Sequence, residues 1–173
     1  MSGLAIRIIS KFLDFVRSAS WKITYSAYRD KYDLHKNFSF NGAYIQFYGE
    51  GKIQAGDGSY VGGLSTVQAV SECSVTIGAG CRISHNVRMY TQSADADADF
   101  SCANPREKQG NIIIGDYCWI GANVFISPGV TIGRNAVVGA NSVVTRNIPP
   151  DEIWGGVPAK LIRQKNIASD AVL

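Results

Sequence analysis

The chain has 173 residues, 46% hydrophobic and 18% charged, with a formal net charge of +3. That length fits one domain with a core of its own. No dense Lys/Arg block marks a nucleic-acid groove, and no apolar run of about 18 residues marks a membrane-spanning helix. The four cysteines form no Cys-x-x-Cys pair and there are only two histidines, so no metal is expected.

Residues 1–36 read as an N-terminal helical segment. Leu4, Ala5, Ile8, Ile9, Phe12, Phe15, Val16 and Ala19 recur at helical spacing, with Arg7, Lys11, Asp14, Arg17 and Ser18 largely between them. An amphipathic helix over 4–28 has two uses. It caps the open end of a strand stack, or it lies on an anionic membrane surface with Trp21 and Tyr25 near the headgroups. The N-terminus lacks the apolar core and small-residue cleavage site of a signal peptide, so a cytoplasmic location is expected, peripheral to the inner membrane in the second case.

From Phe38 the pattern turns to short strands rich in glycine. A six-residue phase is weak here: Ile53 and Ser59 are in frame, while Val61 and Val67 are shifted by two. Irregular first coils are expected. The phase recovers at Ile77, Ile83 and Met89, with Cys81 and Val87 in a smaller companion series.

The pattern stops over residues 91–110, TQSADADADFSCANPREKQG, and resumes at Ile114. This is a loop leaving the wall, and loops on rigid scaffolds tend to carry binding and catalysis. Asp95, Asp97 and Asp99 lack the spacing of a calcium loop and read as solvated or substrate-facing, with Asp95 a candidate substrate contact.

From Ile114 the sequence is an internal repeat. An aliphatic residue returns every sixth position at Ile114, Ile120, Ile126, Ile132, Val138 and Val144. A smaller series follows four residues behind each, at Cys118, Val124, Val130, Ala136 and Ser142. Six fits neither a helix nor a single strand. Short parallel strands joined by tight corners explain it, three units making one triangular coil. The large residue points inward, and the Gly or Asn beside it is expected to accept positive φ at the corner. Cys81 and Cys118 fall in the small inward series and read as buried hydrophobes.

After Thr145, Pro149 and Pro150 end the last regular coil. Gly155 and Gly156 allow close backbone approach, and Pro158 fixes a turn. Lys160 and Arg163 offer two positive charges near the end of the stack. Residues 164–173 are expected as a short helix or frayed tail.

The hexads resemble the left-handed parallel β-helix of the hexapeptide-repeat acyltransferases. The run IGDYCWIGANVFISPGVTIGRNAVVGANSVVTRNIPPDEIWGGVPAKLIR is similar to the maltose, galactoside and nodulation-factor acetyltransferase branch, and to acetyltransferases that decorate bacterial surface polysaccharides. The resemblance implies an all-β, left-handed parallel β-helix over 37–163, interrupted by the 91–110 excursion. It implies a homotrimer with sites between neighbouring stacks, and acetyl-CoA as cosubstrate without a metal. By matching motifs, Ala122 and Ala140 offer backbone groups to the pantetheine arm, and Gly139 and Gly156 permit close approach. Thr145 lies beside the adenine, Lys160 and Arg163 meet the phosphates, and Trp119 packs in the wall or flanks the groove.

On the acceptor side, Asn86, Val87, Tyr90 and Thr91 match the family pattern, which then places a general-base histidine at residue 94. That residue is alanine. The resemblance therefore implies an inactive or impaired enzyme, either through an introduced replacement or as a natural member. The intact cofactor-side motif favours the first. His85, which takes the place of a proline in the pattern, reads as a wall or substrate contact and less readily as a replacement base. Asp95 is poorly matched to base work at neutral pH. Glu72 aligns with an acid that holds a sugar hydroxyl, and the Asn expected around Gly62–Thr66 is not evident. The implied reaction is O-acetylation of a sugar hydroxyl, with a surface glycan, lipid-linked in one version, as acceptor. The alternatives are N-acetylation of an amino sugar on a nucleotide carrier and a naturally inactive β-helical binding or scaffold protein.

Overall fold

The computed structural model describes residues 3–167, a single helix followed by a parallel β-solenoid. The solenoid is a three-sided prism. Its first face stacks Asp33–Leu34, Lys52–Ala55, Ser74–Ile77, Ile112–Ile114 and Thr131–Ile132. The second stacks Ser39–Asn41, Tyr60–Gly62, Arg82–Ile83, Trp119–Ile120, Val137–Val138 and Glu152–Gly156, with Ala159–Gln164 folded antiparallel on its last strand. The third stacks Gln46–Tyr48, Thr66–Gln68, Arg88–Tyr90, Phe125–Ile126 and Val143–Val144.

The hexad register runs straight through these ladders. Ala55, Ile77, Ile114 and Ile132 stack on the first face; Val61, Ile83, Ile120 and Val138 on the second; Phe47, Val67, Met89, Ile126 and Val144 on the third. All are buried, as are Cys81 and Cys118. Both thiols donate to backbone carbonyls, of Gly115 and Gly133, at 3.1 Å. The Cys118 thiol is pushed up, first by Cys81 beside it and then by burial, and stays protonated.

Two expectations are corrected here. The early coils are irregular in spacing, with Phe40, Phe47 and Ala55 seven and eight residues apart and Val67 and Ile77 ten apart, but the inward frame within them is not the one expected. Ala55, Val61 and Val67 hold the large position, and Ile53, Ser59 and Ser65 the companion position. Four extra residues between Val67 and Ile77 hid the frame, because counting back from Ile77 in sixes lands on Ser59 and Ile53 instead of Val61 and Ala55. The corner glycines also serve a different purpose. Positive φ falls two residues later, at Asn123 (59°), Asn135 (57°) and Asn141 (60°). Gly121 is glycine because the next coil crosses it: a Cβ there would lie 2.5 Å from the Ala140 nitrogen.

The helix, Gly3–Lys31, caps the open end of the prism with its last third. Tyr25 stacks on Phe40 at 4.4 Å, Tyr28 on Phe47 at 5.7 Å, and Trp21 meets Tyr44 edge-on at 4.9 Å. Polar groups of the same segment satisfy carbonyls that the first coil leaves without a neighbouring strand. The Tyr25 hydroxyl donates to Gly42 at 2.8 Å, and Arg29 donates to the carbonyls of Phe38 and His35. Trp21 and Tyr25 are therefore committed to the coil rather than to headgroups. The ladders start at Asp33, inside the segment 1–36 assigned to the helix.

Gln164 pairs with Glu152 in the terminal hairpin, and Lys165 N–H donates to Asp151. The start of the expected tail is thus strand, because the hairpin continues one residue past Arg163. From residue 168 the tail lies outside the described residues.

Candidate functional site

The corners between the second and third faces form one edge of the prism. Asn86 N–H donates to Gly63, Asn123 N–H to His85, and Asn141 N–H to Ala122, at 2.9, 3.0 and 2.8 Å. Those bonds stack Gly63, His85, Ala122 and Ala140 in a single column, one coil apart at about 4.8 Å. An amide ladder runs beside it. Asn86 donates to Asn123 and Asn123 to Asn141, each at 2.9 Å, and Arg88 donates to the Asn86 oxygen at 2.8 Å. Left-handed φ at these asparagines turns the chain, and their side chains fasten one corner to the next. Among the described residues, the backbone N–H groups of Ala122 and Ala140 enter none of the solenoid's hydrogen bonds.

The second face leads into this edge. Trp119 stands on its outer surface, 54% exposed, between Arg82 and Val137 in the ladder. A cleft of about 320 Å³ lies beside it, lined by Gly80, Arg82, Tyr117, Trp119, Asn135, Val137 and Lys165. The terminal hairpin closes the C-terminal end of the face. Gly156 N–H donates to Ser142 Oγ at 3.0 Å and Gly139 N–H to Trp154 at 2.8 Å, tying the hairpin to the column.

Lys160 pairs with Gly155 and Arg163 with Ile153, across a bulge between Ile153 and Trp154. In an unbroken strand, residues three apart face opposite ways. Cross-strand partners share a side, and Ile153 and Gly155 are two apart. The bulge thus brings Lys160 and Arg163 to the same side.

Seven of the eight expected cofactor-side residues, Trp119, Ala122, Gly139, Ala140, Gly156, Lys160 and Arg163, gather on this face and edge. Thr145 does not join them. It follows Val144, at the far end of the third face from Ala140. Lys165 was missed by sequence reasoning. Its Nζ donates to Asn135 at 2.6 Å, which fixes a cation in the lining of the cleft alongside Arg82. Asn123 and Asn141, eighteen residues apart, were the legible sign of the amide ladder.

The expected acceptor residues divide between two edges. Asn86 sits with His85 on the column. The excursion leaves from the opposite end of Arg88–Tyr90 as an antiparallel arm, Gln92–Ala94 pairing with Glu107–Gln109. Gly110 N–H donates to Thr91 at 2.9 Å and closes its root, and Thr91 Oγ1 accepts from Val70 N–H at 3.0 Å. Glu72 stands at that corner with φ of 63°. Tyr90 packs edge-on against Phe125 on the third face.

Ala94 faces Glu107 in the arm ladder and offers only a methyl group. Asp95 is spent on the arm's own structure. It accepts from Arg106 Nε at 2.9 Å and from the Asp97 N–H at 3.0 Å. The Asp97 N–H first, and then Arg106, hold its carboxyl below the usual carboxylate range, so it is a poor proton acceptor. Among the described residues, no three His, Cys, Asp or Glu side chains cluster as metal ligands.

Residues 111–146 match the family described as bacterial transferase hexapeptide (six repeats). A hexapeptide-repeat acetyltransferase of Vibrio cholerae, solved with acetyl coenzyme A, superposes with a TM-score of 0.65 and 32% identity, over 81% of this chain and 75% of that one. The chain belongs to this family, the hexapeptide-repeat acyltransferases with a left-handed parallel β-helix.

Among relatives, the galactoside O-acetyltransferase of Escherichia coli is 40% identical over 97 residues, 56% of this chain and 47% of the relative. WcaF of the same species, provisionally named as a colanic acid biosynthesis acetyltransferase, is 36% identical over 114 residues, 66% of this chain. The chain spans 59% of the length of WcaF.

Proposed function

We propose that the protein transfers the acetyl group of acetyl-CoA to a sugar hydroxyl in the assembly of a bacterial surface glycan, acting in the cytoplasm as a homotrimer. The observation that carries this reading is the column of His85, Ala122 and Ala140 beside the cationic hairpin. The two N–H groups of Ala122 and Ala140 suit the amide carbonyls of a pantetheine arm. Lys160, Arg163 and Lys165 suit its phosphates, and Trp119 gives an apolar wall to the groove. The solved Vibrio cholerae relative carries acetyl-CoA, and galactoside O-acetyltransferase is named for a sugar acceptor. Both support the donor and the acceptor class.

In this reading His85 is the general base. It stands one coil from Ala122, on the side away from the phosphate-binding hairpin, where the thioester end of the arm falls. Its imidazole takes the hydroxyl proton as the sugar oxygen attacks the thioester carbonyl, then returns that proton to the departing sulfur. Asn86, pinned by Arg88 and Asn123, orients the base or a sugar hydroxyl. The arm with Glu72 lies at the other end of the third face. A neighbouring subunit's arm, placed against this column, completes the acceptor pocket and supports the trimer.

Ala94 supports a second reading, in which the base is lost and the chain is an impaired or purely binding member. Thiol release from acetyl-CoA with a panel of glycans tests both. Turnover by the chain as it stands supports His85. Absence of turnover with intact CoA binding supports the second reading, and absence of CoA binding ends both. An amino sugar on a nucleotide carrier, included in the panel, separates N- from O-acetylation.

A further inference from the structure

The N-terminal helix carries two apolar faces, and the solenoid uses only one of them. Trp21, Tyr25, Tyr28 and Tyr32 form the stripe that seats on Phe40, Tyr44 and Phe47. Ile23 lies two residues from both Trp21 and Tyr25, about half a turn around the helix, and is 72% exposed. Ile9, Phe12 and Val16 continue its row toward the N-terminus at helical spacing, with Ile8 and Phe15 beside them, all exposed. While the aromatic stripe is seated, this aliphatic stripe points away from the chain's own coils. No rigid rotation of the helix buries both.

We infer that the aliphatic stripe docks on an anionic membrane surface. The charges around it select this occupant. Arg7, Lys11 and Lys22 run in one row along a border of the stripe, and Arg17 lies on the other border. The single acid of this stretch, Asp14, is on the polar side and paired with Arg17. Flanking cations beside a broad apolar face match the headgroup and acyl boundary of an anionic bilayer.

The same row argues against a second copy of the helix as occupant, because a self-associated seam would bring Arg7, Lys11 and Lys22 of neighbours together. No helix among the described residues is long and apolar enough to cross a membrane, so the helix lies on the surface. Its seat on the first coil directs the remaining coils, with the column and cleft, away from the bilayer plane. The inference is independent of acetyl transfer.

Co-sedimentation of the full chain with phosphatidylcholine vesicles, with and without phosphatidylglycerol at about one-third of the lipid, tests it. The expected result is binding to the anionic vesicles only, weakened by salt. Ile9→Glu with Phe12→Glu should reduce partitioning about tenfold or more, while circular dichroism and thermal melting of the solenoid stay unchanged. Lys11→Glu with Lys22→Glu should weaken binding without touching the apolar stripe. Two results overturn the proposal. One is that the intact chain stays in solution with anionic vesicles. The other is that the Ile9/Phe12 double variant lowers the oligomeric mass in solution and leaves vesicle binding intact, which assigns the stripe to a helix seam between copies.

Discussion

The carbonyl of His85 accepts the N–H of Asn123 at 3.0 Å, which sets His85 one coil from Ala122 on a single edge of the prism. Ala94 is on a different edge, at the far end of Arg88–Tyr90. If the column carries the chemistry, His85→Ala should lower kcat by about a hundredfold or more and leave the Kd for CoA nearly unchanged. Steady-state rates and calorimetric binding check this. In the competing case Ala94→His raises a negligible rate and His85→Ala changes nothing.

Lys160 and Arg163 share a side of the terminal hairpin because of the bulge at Ile153/Trp154. Replacing both with Glu should weaken CoA binding by about tenfold or more at low salt, and by less as salt screens the phosphates. Binding isotherms at two ionic strengths measure it. The solenoid should melt as before, since both side chains are exposed.

Gly121 is crossed by the Ala140 backbone, so Gly121→Ala should destabilise the solenoid by roughly 1–3 kcal/mol. Asn123 needs left-handed φ instead. Asn123→Val should cost about 1–2 kcal/mol from backbone strain, while Asn123→Gly keeps the conformation and loses only the amide ladder. Chemical denaturation of the three variants gives the ranking.

Asp95 braces the arm through Arg106 and the Asp97 N–H. Its folded-state pKa is depressed, so this brace is fully present above the ordinary carboxylate pKa. It is lost as pH falls through the lowered value. Hydrogen exchange across residues 91–110 should therefore rise below about pH 4, ahead of the buried coils. Asp95→Asn should reproduce that loosening at neutral pH, with the coil amides still protected.

The period of six determined the solenoid by itself, because only an inward residue on each of three faces repeats at that spacing. Ile114 to Val144 fixed the later coils residue by residue, and the same register marked the interruption over 91–110, while Ala94 was singled out only by the family resemblance. The earlier coils were legible only in part, since the step from Val67 to Ile77 is ten residues instead of six and shifts the visible frame.

What the tertiary structure decided lies in contacts between residues far apart in sequence. Stacking put His85 in line with Ala122 and Ala140 across an interruption of twenty residues, 91–110, that no local pattern bridges. The bulge brought Lys160 and Arg163 to one side, and the seating of Trp21 and Tyr25 on Tyr44 and Phe40 left Ile9, Phe12, Val16 and Ile23 facing outward. A repeat specifies the wall, because each hexad meets the same local demand. It does not specify which corners carry function, because that depends on the neighbouring coils that each corner meets.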